Sequence, residues 1–242
     1  MTTQQTPLID GSGTCALVVF AKAPTPGHVK TRLVPPLTPA RAARLHRAFI
    51  EDTLARVAAR PWPWPGPRYL ACAPDVGDPF LIECARRYGA DPIAQGPGDL
   101  GARMRRVVRA LLKRHAAVVV IGSDSPTLPP AYLDRACAAL RSVDLVFGPS
   151  DDGGYYLVGQ RCLEPTIFRD IPWGTADVLE ATLARIDPGR VALLPSWYDV
   201  DRPDDLDRLR RELDAGAACP RTRAVLRSWE RRSATPRGRD RR

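Results

Sequence analysis

V-V-V-I-G-S-D-S-P-T-L, residues 118–128, decides the fold of this chain. Four apolar residues drive a buried strand, Gly122 stops it, and Asp124 arrives as a single carboxylate at the strand's carboxyl end. In open α/β sheets that edge is where ligands bind. An acid there suits a divalent cation held against phosphate oxygens, because hard cations take oxygen ligands and bridge to substrate phosphates. Pro126 and the Leu-Pro-Pro at 128–130 then turn the chain into a helix. The plain alternative is that Asp124 caps the next turn or helix, as an acid before Ser-Pro often does. The choice between the two rests on the remainder of the chain.

Outward from this strand, short β-rich runs alternate with helical stretches, the pattern of an α/β protein with a mostly parallel sheet. Strands are expected at 16–21, 68–73, 91–94, 117–121, 145–147, 155–158 and 191–194, and helices at 38–59, 79–88, 100–114, 131–140, 175–186 and 203–213. Thr38 is placed as an N-cap with Pro39 at the first helical position, and Leu45, Phe49, Leu54 and Val57 share one face. Thr175 is expected to cap its helix, while Asp204 and Asp205 suit the positive end of the last one. The run P-W-P-W-P-G-P at 61–67 is a connector, since its prolines remove backbone donors and fix φ. No internal repeat or composition break divides the chain. The expectation is one three-layer α/β/α domain over 14–215 with a Rossmann-like, mostly parallel central sheet. It is flanked by a disordered segment at 1–13 and a basic, Arg-rich tail at 216–242, with disorder over the last ten residues.

With 242 residues, 44% hydrophobic and 26% charged, the composition is that of an ordinary water-soluble chain. No run of about 18 apolar residues occurs, and the amino terminus lacks a basic and apolar leader, so neither a membrane span nor a secretory signal is expected and a cytoplasmic location follows. Six cysteines form no C-x-x-C pair, and Cys15, Cys72 and Cys137 read as small buried hydrophobes. His28, His46 and His115 alone give little support to a histidine-based metal cluster or triad. The net charge of +9 is local: nine arginines against Glu230 and Asp240 after residue 219 carry +7, which leaves +2 for residues 1–219. Such a tail suits RNA, DNA or an acidic surface, or is simply solvated. The near-neutral body and the scarcity of aromatic residues among the tail arginines argue against a nucleic-acid partner.

Four loops carry the candidate chemistry. F-A-K-A-P-T-P-G-H-V-K-T-R-L, residues 20–33, leaves the first strand with Lys22, Lys30 and Arg32 to neutralise a polyphosphate and Gly27 to let backbone N–H groups approach it. It lacks the spacing of a Walker A loop. Q-G-P-G-D-L-G-A-R at 95–103 offers Gly98 for close approach, Asp99 near a helix start and Arg103 one turn in, where it reaches an anion; Asp99 is equally read as an N-cap. G-P-S-D-D-G-G-Y-Y-L-V-G at 148–159 makes a tight turn in which Asp151 or Asp152 is placed to orient an acceptor hydroxyl or a metal-bound water. In Y-D-V-D at 198–201, alternation along a strand end puts Asp199 and Asp201 on one side. Asp199 is the better partner for Asp124, because Asp201 is placed to cap the helix at Pro203. Trp173 in I-P-W-G-T is placed to stack on a substrate ring, or else anchors the core.

These blocks resemble the nucleotide-diphospho-sugar transferase superfamily with the glycosyltransferase A-type fold, and more narrowly the DUF2064 family. That family is often described as glycosyltransferase, with members associated with arsenosugar biosynthesis. The matching segments, from the K-T-R-L loop through I-G-S-D-S-P-T-L to D-V-D-R-P-D-D-L, run in family order over about 20–206. The resemblance implies a nucleotide on the first loop, a metal on Asp124 and a tail outside the shared core. One departure is plain: metal-dependent glycosyltransferases of this fold show Asp-x-Asp, whereas Ser123-Asp124-Ser125 has one acid. A lone Asp, with a second from a late segment, looks closer to the 2-phospho-lactate and molybdopterin guanylyltransferases.

The function expected from these residues is a transfer from a nucleoside-diphosphate sugar to a small-molecule acceptor. Mg²⁺ or Mn²⁺ would sit on Asp124 and Asp199, the nucleotide on the cationic loops, and the acceptor near Asp151, Asp152, Gly153, Gly154, Tyr155 and Trp173. The alternative is nucleotidyl transfer from a nucleoside triphosphate to a phosphorylated acid with release of pyrophosphate; a second is nucleic-acid binding through the tail.

Overall fold

The computed structural model of the chain describes residues 14–59 and 66–233. The disorder expected at 1–13 and over 233–242, except for Ser233, and most of the proline-rich connector, lie outside the described residues. Seven strands form one sheet: β1 (Cys15–Lys22), β2 (Arg68–Ala73), β3 (Asp91–Ala94), β4 (Ala117–Gly122), β5 (Leu145–Pro149), β6 (Tyr155–Gln160) and β7 (Val191–Leu193). Their order is β3-β2-β1-β4-β6-β5-β7. All neighbours are parallel except β6, which runs against both β4 and β5. The chain steps outward from β1 to β3 and then returns to the other side of β1, so the order reverses between β1 and β4. That switch point opens a crevice at the strands' carboxyl ends.

β1 shows why the middle strands are continuous in apolar residues. Cys15, Leu17, Val19 and Ala21 face one layer, and Ala16 and Val18 face the other. Both faces of a strand covered by helices must be apolar. One layer is α1 (Pro39–Ala58), α2 (Pro79–Tyr88) and α4 (Pro130–Ala139); the other is α3 (Leu100–Leu111), α5 (Val178–Leu183) and the 3₁₀ turn Pro165–Phe168. Thr38 caps α1 as expected, accepting from Arg41 N–H. α5 is shorter than expected. Thr175 caps no helix: its hydroxyl donates to Pro172 C=O and accepts from Asp177 N–H in the preceding loop.

The largest correction concerns the basic tail. Pro220–Ser233 is a helix, α7, and Val225, Leu226 and Trp229 are buried in a third cluster with Leu45 and Phe49 of α1 and Leu206 and Leu209 of α6 (Pro203–Asp214). Its arginines drew attention away from an apolar stripe with helical spacing. Asp52 of α1, 1% exposed, fastens the helix start by accepting from Arg221 N–H at 3.2 Å and Thr222 N–H at 2.8 Å. Replacing Asp52 by Ala removes the acceptor from two first-turn donors. The variant is expected to lose about 2 kcal/mol of unfolding free energy, read as a lower denaturant midpoint at unchanged slope. A loss under about 0.5 kcal/mol contradicts the capping role.

Candidate active site

β1 and β4 pair in register, with Phe20 beside Gly122, and the loops that leave their carboxyl ends wall a cleft of about 400 Å³. Asp124 lies at its floor. Lys30 Nζ approaches Asp124 Oδ1 at 2.8 Å, and His46 Nδ1 lies 3.5 Å from the same oxygen. Oδ1 is therefore enclosed, while the side chain keeps 42% exposure, which places its accessible surface on the Oδ2 side. Burial opposes the charge of Asp124, but the Lys30 ammonium, with His46 beside it, outweighs burial and holds the carboxyl well below the usual carboxylate range.

Lys30 reaches this position from an unusual backbone. Its φ of 49° is left-handed, a conformation that costs a non-glycine residue about 1 kcal/mol or more, and its side chain is 3% exposed. His46, on α1, meets the Lys22 carbonyl through Nε2 at 3.0 Å. A carbonyl only accepts, so Nε2 carries a hydrogen, and this bond fixes the ring with Nδ1 turned toward Asp124.

Asp199 enters from the segment before α6. The Ser125 hydroxyl donates to Asp199 Oδ1 at 2.5 Å, and Val200 N–H donates to the Asp124 carbonyl at 2.9 Å, which ties the two acid-bearing segments together. Burial, then the neighbouring Asp124 charge, push the Asp199 carboxyl up to about 6. Asp152 lines the cleft from the β5–β6 turn, where its Oδ1 accepts from Gly154 N–H at 3.0 Å. Asp124 and Asp199 thus each keep one oxygen without a protein partner among the described residues. No third His, Cys, Asp or Glu joins them into a closed metal cluster there. Two carboxylates with the remaining positions left to water and phosphate fit Mg²⁺ or Mn²⁺.

The structure sorts the other expected site residues. Lys22, Arg103, Gly154, Tyr155 and Trp173 line the cleft with Asp124, Asp152 and Asp199. Lys22 Nζ donates to the His28 carbonyl, and Arg103 Nε donates to the Gly98 carbonyl at 2.8 Å. Lys30 sits beneath Asp124 rather than open to the cleft, and Arg32 turns outward to Asp201 at 3.0 Å. Asp201 caps no helix either: Asp205 accepts from the Asp201 and Arg202 N–H groups in that role. The expected strand alternation around Asp199 is absent because β7 ends at Leu193. Asp99 is the N-cap of α3, accepting from Ala102 N–H at 2.7 Å. Asp151 points to Arg208 of α6 at 2.7 Å.

Glycine roles divide in the same way. Gly153 has φ 89°, and a Cβ there would lie 2.0 Å from the Ala176 carbonyl oxygen, so this position is reserved for close packing of the turn. Gly27 and Gly98 also have positive φ, but they shape their loops without lining the cleft. Sequence reasoning missed His46, Gln95 and Arg208. Only His46 carried a signal, a polar residue between Leu45 and Phe49 on the apolar face of α1.

A three-layer sheet with its acids gathered at the β1–β4 switch point defines the class: a transferase with the nucleotide-diphospho-sugar transferase fold. The chain belongs to the family described as "Uncharacterized protein conserved in bacteria (DUF2064)", whose sequence profile matches residues 53–175. That span holds Asp124 and Asp152 but not Lys30 or Asp199. Among solved structures, a candidate nucleotide-diphospho-sugar transferase from Desulfovibrio desulfuricans G20 is 34% identical, with a TM-score of 0.77 over 88% of this chain and 94% of that one. A 4-diphosphocytidyl-2C-methyl-D-erythritol synthase from Anaerococcus prevotii DSM 20548 shares the fold at 12% identity, with a TM-score of 0.60 over 86% and 98% of the two chains. A nucleotidyl transferase from Methanothermobacter thermautotroptrophicus does so at 16% identity, with a TM-score of 0.52 over 82% and 97%. No curated protein matches the sequence. Among the described residues no helix is long and apolar enough to cross a membrane.

Proposed function

We propose that the protein is a metal-dependent transferase that takes a nucleoside-diphosphate sugar as donor and passes the glycosyl group to a small-molecule acceptor. The observation that carries this reading is the convergence of Asp124 and Asp199, from two distant segments, on one cleft at the β1–β4 switch point, joined through Ser125. A bound Mg²⁺ or Mn²⁺ would neutralise the departing diphosphate, a charge-stabilising role that is commonly the largest part of catalysis in such reactions. Asp124 and Asp199 are the residues that would hold it. Lys22 and Arg103, which line the same cleft, add positive charge toward the phosphates. Lys30 and His46 keep Asp124 ionised and fix its second oxygen toward the cleft. Asp152 is the acid placed to orient the acceptor hydroxyl, because Asp151 is committed to Arg208. The resemblance to the Desulfovibrio protein, a candidate nucleotide-diphospho-sugar transferase, supports the donor class.

A second reading keeps the same cleft for a nucleoside triphosphate, with a phosphorylated acid attacking the α-phosphate and pyrophosphate leaving. The single acid of Ser123-Asp124-Ser125, completed by a late carboxylate, favours it. The two readings differ in what is released. Purified protein incubated with UDP-, GDP- and CDP-sugars and candidate small-molecule hydroxyl acceptors, and separately with CTP or GTP and candidate phospho-acids, is expected to release nucleoside diphosphate in the first set. Chelation is expected to stop the release, and Mn²⁺ or Mg²⁺ to restore it. Pyrophosphate release confined to the second set overturns the glycosyl reading and leaves the nucleotidyl one.

A further inference from the structure

One part of the cleft carries no charge and holds none of the residues assigned to metal, phosphates or acceptor hydroxyl. Val120 of β4 and Val158 of β6 are register partners and floor it on the α3 and α5 side of the sheet. Met104 of α3, Val178 of α5, Tyr155 and Trp173 wall it. The Tyr155 and Trp173 rings meet edge to face with centroids 6.1 Å apart. Trp173 is also pressed against the start of α3, where a Cβ at Gly101 would stand 2.7 Å from the indole. Burial pushes the Tyr155 phenol above its ordinary range, so the wall stays uncharged.

Asp152 stands beside this hollow. The next residue, Gly153, packs on the Ala176 carbonyl, and its own carbonyl accepts from Leu179 N–H at 2.9 Å, so the turn and the 173–178 segment form one wall. A hydroxyl directed to Asp152 therefore brings the body of its molecule to the hollow. Charge decides what that body can be. Lys22 and Arg103 are the only Lys or Arg side chains among the described residues that line the cleft, and Arg103 is turned back onto the Gly98 carbonyl. Arg208, behind the turn, is committed to Asp151 and lies over the Tyr198 ring. A carboxylate or phosphate in the hollow would lose its water, meet no cation and face Asp152. An uncharged apolar body leaves water favourably and gains contact with two aromatic rings.

We infer that the acceptor is an uncharged hydroxyl compound with an apolar, ring-sized body, which lies in the hollow between Trp173, Tyr155 and Val178 while its hydroxyl meets Asp152. The inference rests on the glycosyl-transfer reading above and names the substrate class which that reading leaves open. It also separates the two readings, because a phosphorylated acid is the kind of acceptor this hollow excludes.

The test uses the full chain with Mn²⁺ and whichever of UDP, GDP or CDP binds most tightly. Matched pairs are titrated into it by calorimetry: 4-methylbenzyl alcohol beside 4-(hydroxymethyl)benzoate, and 4-methylcyclohexanol beside 4-hydroxycyclohexanecarboxylate, with glycerol as a small uncharged hydrophilic alcohol. Each ring alcohol is expected to bind about tenfold or more tightly than its carboxylate twin and than glycerol. Thr175 is exposed and lines the cleft, so Thr175→Lys brings a cation to the hollow without disturbing the core. In that variant the ratio within each pair is expected to shrink to about threefold or less. Trp173→Ala is expected to weaken the ring alcohols about tenfold while nucleotide affinity stays within about twofold. Carboxylate twins that bind as tightly as the ring alcohols overturn the inference, and so do ring alcohols that fail to bind with nucleotide in place. A pair ratio unmoved in Thr175→Lys, with ring-alcohol affinity unmoved in Trp173→Ala, puts the ligand elsewhere and overturns it too. If no nucleoside diphosphate binds, or if pyrophosphate release is confined to the triphosphate set, the donor reading itself fails.

Discussion

Replacing Asp124 by Asn is expected to lower the rate of the proposed transfer by about a thousandfold, equivalent to about 4 kcal/mol of transition-state stabilisation, and to destabilise the fold by about 3 kcal/mol. The first effect follows from removing a carboxylate that would hold the cation. The second comes from Lys30, whose side chain is 3% exposed and whose nearest remaining carboxylate, Asp201, lies 3.8 Å away. Removing one partner of an enclosed ion pair strands the other, and the stranded charge carries the cost. The reverse change is not symmetrical. In Lys30→Met the surviving charge is Asp124, 42% exposed, which water reaches, so that variant is expected to lose only about 1 kcal/mol. The double variant, without either charge, is expected to be more stable than Asp124→Asn alone. Denaturant unfolding of the three variants checks the order, and equal losses in the two single variants would contradict the buried-lysine account.

Asp199→Asn is expected to do the opposite to stability while also slowing turnover. The Asp199 carboxyl is raised to about 6 from an ordinary 3.8, first by burial and then by Asp124. A raised carboxyl favours the fold in its protonated form. Its contribution is therefore present below pH 3.8, falls as pH rises toward 6, and is absent above that. Asn removes the charge at every pH. The variant is expected to gain about 2 kcal/mol near pH 7.5 and nothing near pH 3.5, with the rate reduced by about a hundredfold or more. Thermal or denaturant unfolding at the two pH values, beside a turnover assay, decides it. A gain of equal size at both would show that charge burial is not the source. Stability lost to a functional acid is a familiar trade at binding sites.

The sheet was readable from residue pattern because each strand must cover two helical layers or one. The bounds of β2, α2 and β3 match their expected ranges to the residue, as apolar runs between proline, glycine and capping acids. α7 was hidden by its own arginines, since a charge count ignores the spacing of Val225, Leu226 and Trp229. In the site, Asp124, Asp152, Asp199, Lys22 and Arg103 were legible as charged residues in loops after strands, and all five reach the cleft. The burial of Lys30 was not legible: whether a loop cation faces water or a carboxylate is decided by a partner almost a hundred residues away. Asp99 and Asp151 illustrate the converse, acids whose sequence setting suited chemistry and whose neighbours, a helix N-terminus and Arg208, claim them locally. Gln95 opens the 95–103 loop, but nothing in that stretch marks its side chain, which joins the ends of β1 and β2.

The third apolar cluster sets an order of failure for the molecule. Tyr198 and Val200, on either side of Asp199, are buried in the same cluster as Trp229 and Phe49, so the late carboxylate takes its footing from the last helix and from α1 together. The central sheet has its own two clusters and does not share that dependence. A chain cut before Pro220 would retain its strands yet leave Asp199 unmoored, and the same holds for a polypeptide still emerging from the ribosome. The proposed cation site would therefore depend on the docking of α7 against α1, and truncation before Pro220 is expected to loosen Asp199 before it loosens the central sheet.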